Sequence, residues 1–376
     1  MHLAPTEEQQ IVPVAARKFL AAEITRERRL AWDKTAEGHD PAFWKAVADL
    51  GWLGYAIPEA YGGQGASLLD LGLLVEECGR AVAPFGIFAS FCGGLGLATL
   101  GSAAQKRAWL PPIATGSALV TLAIGEREAA LDPGAFRTVV TRRGRQLRLD
   151  GEKHCVLQGV SADAFLVAAR DGRGTSLVLV PRDTRGVTVD AVQTLAKDRQ
   201  SRVRFRNVLV PATALVGAPR AMWPRLEKLR RVLATLLCCD LVGGTDAVLE
   251  MTIAYVCERE QFNVKIATFQ AVQQMIATMA LDLEGARHAT RQALWRLSEG
   301  RPAEREVAIA KAWTARAYRD VTINAHQLHG GAGYVVEHVL HRHTLRAKQA
   351  ELLFGSTEQW MDDLADRLKL APASRR

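Results

Sequence analysis

The sequence predicts an α+β protein in three parts: a helical segment over residues 1–116, a β domain over 117–217 and a helical bundle over 218–376. Two observations predict it. Apolar residues recur every three or four positions in the first and last parts, the period of a helix buried on one face. In the middle the runs are short, β-branched and alternating, and Gly, Asp and Pro punctuate them, as strands and turns require.

In EEQQIVPVAARKFLAAEI, residues Ile11, Val12, Ala15, Phe19, Leu20 and Ile24 mark the apolar face of a first helix. PAFWKAVADLGWLGYAIPEAYGG reads as a helix closed by Gly51, then a loop punctuated by Pro58, Gly62 and Gly63. LLDLGLLVEECGRAVAPF is a helix with a wide apolar face, and AAQKRAWLPPIATG is a short one expected to end at its double proline. Seven strands follow: ALVTLAI, AFRTVVT, QLRLDGEKHCV, AFLVAAR, TSLVLVP, GVTVDAV and RVRFRNVLV, enough for a small barrel or sandwich. The last part holds four or five long helical segments, from WPRLEKLRRVLATLLCC to VLHRHTLRAKQAELLFG, which are expected to pack as a bundle.

With 376 residues, 48% of them hydrophobic and 23% charged, the composition is that of a soluble globular protein. The net charge of +8 comes from scattered arginines rather than an aromatic-interleaved basic stripe, so no nucleic-acid partner is expected. Six cysteines form no C-x-x-C pair; Cys238 and Cys239 are adjacent in an apolar stretch, which suits core thiols in a reducing compartment. MHLAPTEEQQ is too polar for a signal peptide, and no apolar run is expected to reach the ~18 residues that span a bilayer. A cytoplasmic location without a membrane span is the expectation.

Two motifs carry chemistry. QLHGGAGY (327–334) places paired glycines between two helices, where a backbone can approach a bulky ligand and present N–H groups to a phosphate. A tight interhelical turn accounts for the same glycines. In EREQFNVKIATFQAVQ (258–273), Arg259 and Phe262 suit an anion and a flat ring, although an arginine capping a helix end is common. Together they resemble the acyl-CoA dehydrogenase family. GWLGYAIPEAYGGQG (51–65), GSAAQKRAWLPPIATG (101–116), VLVPATALVG (208–217), EREQF, FQAVQ, Glu337, Leu340, Arg342 and the Ala347–Lys348 pair extend the resemblance over nearly the whole chain. The resemblance implies a helical–β–helical fold and FAD bound between subunits. It implies that Arg259, Phe262 and Gln270 hold the pyrophosphate and adenine half of a flavin seated mainly in a neighbour. Gln327, Gly330 and Gly331 close over the same half, and Ser356 belongs to the flavin-side corner.

The departures from the family pattern are concentrated at the reacting end. The family mechanism needs a carboxylate within reach of the substrate α-proton while hydride passes to the flavin. The usual Glu of the family's corner falls on Phe354, in LFGS. The alternative position, counted back without gaps from Arg259, falls on Leu233, and the neighbouring family Arg on Ala234. A shift of a few residues reaches Arg230 or Arg231 but no acid, and Glu227 lies six residues upstream, more than a helical turn away. In the β domain the flavin and substrate motif reads IGEREAALD. Gly125 replaces a Thr, Arg127 a Pro, and Ala130–Leu131 a Gly-Ser pair, while Glu126 and Asp132 remain. CVLQG puts Cys155 where an aromatic flanks the flavin and Leu157 where a Thr stands.

One arrangement explains both halves. The resemblance then implies that the chain is a non-catalytic partner in a hetero-oligomer, of the kind the family uses on steroid side chains. A sister subunit with an intact Glu then owns the acyl-CoA pocket, and electron-transfer flavoprotein is a candidate acceptor. Two alternatives remain: a self-sufficient flavin monooxygenase-like enzyme, and a scaffold subunit without flavin. Glu351, three residues before Phe354, is the one candidate substitute base, against the commoner surface glutamate. His338 and His341 of EHVLHRH share a helical spacing, with His343 beyond, but nothing completes a ligand set, so no metal is expected. The tail APASRR is expected to be disordered.

Overall fold

The computed structural model describes residues 6–127, 132–172, 174–217 and 222–370. The chain opens with α1 (Glu7–Glu23), α2 (Arg26–Trp32), α3 (Pro41–Asp49), α4 (Leu68–Arg80), α5 (Gly86–Leu100) and α6 (Ala103–Ala114). Then come β1 (Val120–Ala123), β2 (Val139–Arg143), β3 (Gln146–Leu157), β4 (Ala164–Asp171), β5 (Gly174–Pro181), β6 (Val187–Val192), β7 (Gln200–Pro211) and β8 (Leu215–Val216). It closes with α7 (Met222–Glu258), the hairpin β9 (Glu260–Gln261) and β10 (Val264–Lys265), α8 (Gln270–Ser298), α9 (Glu304–His329), α10 (Leu340–Leu352) and α11 (Thr357–Arg367).

Two compact units divide these elements. One holds residues up to Arg26, Leu68–Ala83 and the chain from Arg231 onward; the other holds Glu27–Ser67 and Pro84–Arg230.

In the second unit the strands form one eight-stranded sheet in the order β6-β7-β3-β2-β4-β5-β8, with β1 parallel to β4. The seven expected strands are β1 to β7, and β8 adds two residues at the β5 edge. Val140, Leu149, Phe165, Val178, Val203 and Phe205 bury its apolar face. Strand β3 slips register against β7 between Leu149 and Gly151 and again between Lys153 and Val156. Such bulges bend a strand and re-aim its side chains. Helix α3 starts as its sequence predicts: Asp40 accepts the Phe43 N–H at 2.7 Å, and Gly51 follows the helix at φ +74°. Helix α6 does not end at its double proline. Pro111 and Pro112 lie inside it, and the buried Leu110 and Ile113 anchor that last turn. A proline near a helix end forfeits one backbone bond, which apolar burial offsets.

In the first unit α8 and α9 run antiparallel: Thr290 meets Thr314, and Leu297 and Val307 share one core cluster. Helix α9 runs parallel to α7, with Gly244 against Tyr318 and Tyr255 stacked on His329. The C-terminus of α7, the N-terminus of α8 and the C-terminus of α9 therefore lie at one end of the bundle. Helix α7 is long and apolar enough to cross a membrane by length and composition, contrary to the sequence expectation, but 89% of that apolar window is buried. Leu233, Leu236, Leu237, Cys238, Leu241 and Val242 lie inside the protein, so α7 is a core helix.

Candidate functional site

Two places bear on chemistry in the bundle unit: its open end and the corner at residues 353–356.

At the open end, Arg259 follows the last turn of α7, and its N–H donates to the Tyr255 carbonyl at 2.9 Å. The hairpin that follows turns on Phe262 and Asn263, both at positive φ (+54° and +64°). Two central residues of positive φ define a type I′ turn, which favours Asn and Gly and penalises a bulky side chain. Phe262 is nevertheless there and is 87% exposed, with an edge contact to Phe269 at 6.2 Å between ring centroids. Gln270 opens α8, and Gln327 lies two residues before the end of α9; both are exposed. The glycine loop itself is a short 3₁₀ helix, Gly330–Tyr334. Gly330 needs its freedom, at φ +57°. A Cβ at Gly330 or Gly331 would meet no atom of this chain within 4 Å, whereas one at Gly333 would crowd His329, Leu340 and His326. Packing within the chain therefore explains Gly333 and leaves the space around Gly330 and Gly331 open.

The corner is closed. Helix α10 stops at Leu353, Phe354 sits at φ +58° and Gly355 at φ +114°, and Ser356 starts α11. The Phe354 ring is partly buried and packs on the bundle core with Cys238, Val307 and Trp360. The Ser356 hydroxyl accepts from the Gln359 N–H at 3.3 Å, and the Gln359 side chain returns a bond to the Ser356 N–H at 2.9 Å. This is a reciprocal capping box. Beneath it lies a group the sequence analysis missed. Lys311, fully buried on α9, donates to the carbonyls of Ala350 (2.9 Å), Glu351 (3.1 Å) and Gly355 (3.2 Å). Its ammonium gathers the last carbonyls of α10 and the turn beyond, where the helix dipole favours a cation. Its signal was in the sequence: Val307, Ala308, Thr314 and Ala315 flank it at three and four residues, so Lys311 stands on the buried stripe of α9.

The acids weighed as substitute bases are paired. Glu351 is buried rather than a free surface group, and Lys348 at 2.9 Å and Arg319 at 3.5 Å hold its carboxylate. Glu227 pairs with Arg230 at 2.8 Å, and Arg231 with Glu304 at 3.1 Å. Leu233 and Ala234 are fully buried. The histidines of EHVLHRH diverge: His343 bonds the Tyr318 hydroxyl at 2.7 Å, while His341 turns to the His338 carbonyl at 2.6 Å. No group of three metal-ligating side chains occurs among the described residues.

In the sheet unit, Glu126 and Lys153 form a buried pair at 2.7 Å. Glu126 also accepts the N–H groups of Arg137 and Thr138, and Lys153 lies 4.0 Å from the Phe136 ring centroid. Burial pulls the Lys153 ammonium down to about 8 against the pull of Glu126. Burial raises the Glu126 carboxyl, but the bond and charge of Lys153, with the N–H groups of Arg137 and Thr138, together outweigh it and hold the group below its usual value. Glu126 thus anchors the loop leading into β2. Asp132 caps the short turn Pro133–Ala135 through Gly134 at 2.8 Å. Cys155 sits in the second bulge of β3 at φ +54°, exposed, and Leu157 is buried. Ala130–Leu131 and the tail APASRR lie outside the described residues.

A three-part fold with these landmarks defines a flavoprotein dehydrogenase class, and the chain belongs to the acyl-CoA dehydrogenase family. It matches the family's N-terminal domain over 6–117, its middle domain over 121–208 and its C-terminal domain over 225–369. It is 32% identical to the probable acyl-CoA dehydrogenase YngJ of Bacillus subtilis, over 95% of this chain and 97% of that protein. Among solved structures it is similar to the ChsE4-ChsE5 complex from Mycobacterium tuberculosis (TM-score 0.91, 29% identity, 99% of this chain and 100% of that one). It is also similar to a variant of the Tcur3481-Tcur3483 steroid ACAD (TM-score 0.88, 30% identity, 97% and 98% of the two chains).

Proposed function

We propose that this chain is a subunit of an FAD-dependent acyl-CoA dehydrogenase, that it completes the flavin site of a sister subunit, and that it carries no catalytic base of its own. The reading rests on the contrast between the two places in the bundle. The open end spends backbone strain on Phe262, leaves that ring in solvent and keeps free space around Gly330 and Gly331. A flat cofactor carrying a diphosphate fits these groups: a guanidinium for the phosphates, an aromatic face for the ring and a glycine backbone that permits close approach. The corner instead presents a partly buried benzene ring packed against the core, and a ring accepts no proton.

FAD, the family's cofactor, supplies the hydride acceptor for α,β-desaturation of an acyl-CoA thioester. In this reading Arg259, Phe262 and Gln270 hold its adenine and diphosphate half, and Gln327, Gly330 and Gly331 close over it. Ser356 remains the cap of α11 beside the corner. The proton is removed by a glutamate of the sister subunit, and electron-transfer flavoprotein is the acceptor consistent with the family. A steroid side chain is one acyl group in keeping with the named steroid enzyme, to which this chain is similar.

The test is co-expression with a family member carrying Glu at the corner. The expected complex retains FAD and desaturates acyl-CoA, and Arg259→Ala lowers its flavin content at least severalfold. A chain that purifies alone as an active, flavin-loaded homo-oligomer would sink the proposal.

A further inference from the structure

We propose that His326, His329 and His338 form a proton-operated latch on the glycine loop: neutral imidazoles hold residues 330–340 closed, and protonation in mild acid releases them.

The hydrogen bonds set each ring's protonation. Thr344 donates its hydroxyl to the Leu340 carbonyl at 3.3 Å, so it accepts from His326 Nε2–H at 2.8 Å. His326 Nδ1 is left as a bare, buried lone pair without a partner, against the loop at Gly333. A proton there would be an N–H with no acceptor, in a ring that is 7% exposed. His338 Nδ1 accepts the Leu340 N–H at 3.2 Å. Leu340 opens α10, and Val339 before it offers no side-chain acceptor, so His338 performs that cap. Protonating Nδ1 removes the cap and places a cation at the positive end of the α10 dipole. His329 Nδ1 donates to the Ala325 carbonyl at 2.9 Å, and its ring stacks on Tyr255 at 4.4 Å and meets His338 edge-on at 5.0 Å. His326 stacks on Tyr334, the last loop residue, at 4.4 Å.

Among the described residues, no acid contributes to the electrostatics of these three rings. Helix α7 contributes Tyr255, whose hydroxyl donates to the His329 carbonyl at 3.3 Å; α10 contributes His341 and Thr344. Glu337 precedes His338, but its carboxylate faces Arg26 at 3.6 Å. The C-terminal dipole of α9 favours charge on His326 and His329. Burial acts the other way and lowers all three histidines; for His326 and His338 the charges of neighbouring histidines, His329 and His341 among them, add to it. Each folded value lies below the unfolded one of about 6.5, so the closed loop binds fewer protons than the open loop. Its stability is complete above pH ~6.5 and falls as pH falls below that value.

The latch stands on this chain alone; its consequence, release of a flavin half-site in acid, rests on the proposed function. The test therefore uses the full chain without flavin. Amide exchange is measured at pH 7.5 and 5.5 and corrected for the intrinsic rate. The opening constant of residues 330–340 is expected to rise, by at most about tenfold for each imidazole that takes a proton on opening. Amides of the β3–β7 pairing are expected to hold steady. In His338→Asn, a non-titrating cap, the rise shrinks by about one such factor. A histidine-selective NMR titration of the unmutated chain is independent of any variant and is expected to place all three below 6.5. Protection that ignores pH, a variant that keeps the full rise, or histidines titrating at or above 6.5 would overturn the latch.

Discussion

Phe354 occupies the corner with a left-handed backbone, a conformation that glycine or asparagine adopts at little cost and a phenylalanine does not. The ring recovers that cost by packing against the core cluster that includes Cys238, Val307 and Trp360. Restoring a carboxylate is therefore no simple repair. Phe354→Glu removes the packing and takes a charge toward an apolar cluster, and is expected to destabilise the chain by roughly 2–4 kcal/mol. Thermal melts check the loss, and a turnover assay of the variant alone is expected to show no desaturation. Gly331 is the contrasting residue. Nothing in the chain crowds it, so Gly331→Val is expected to leave the melting temperature of the isolated chain within a degree or two, as for a substitution at an open surface. In the complex with a sister subunit the same valine is expected to lower flavin content, which absorbance at saturation reads directly.

At the scale of elements, buried cations hold the turns that the motifs need. Lys311 donates hydrogen bonds to three carbonyls at and just beyond the end of α10, and replacing it with methionine removes that donor from them. Lys311→Met is expected to cost about 2–4 kcal/mol, seen in urea denaturation as a lower midpoint with an unchanged slope. In the sheet unit, α3 depends on Asp40. Partial burial raises that carboxyl, but bonds from Phe43, Trp32 and Arg28 outweigh it and hold it at about 2. The folded value lies below the unfolded one of about 3.9, so the contribution is present above pH ~4 and is lost as pH falls through about 2. Acid titration of wild type against Asp40→Asn is expected to converge at the low end. The strands and most helix ends were legible locally, since alternation and Gly51 are local signals. The continuation of α6 through Pro111–Pro112 was not, because burial of Leu110 and Ile113 is a tertiary effect.

For the whole molecule, the sequence by itself determined the helical–β–helical order, the family and the absence of a carboxylate at residues 354 and 233. Each depends on residue type and spacing, which the chain carries without folding. Only the tertiary structure decided the rest. It buried Lys311 and Lys153, packed Phe354 against the core, paired Glu351 with Lys348 and Arg319, and drew His326, His329 and His338 around one loop. It also made α7 a core helix, although its apolar stretch alone has the length of a membrane span. The physical reason is that hydrogen-bond partners, burial and the cost of a charge depend on residues far apart in sequence. Lys311 meets carbonyls about forty positions away, and no local pattern records which ones they will be.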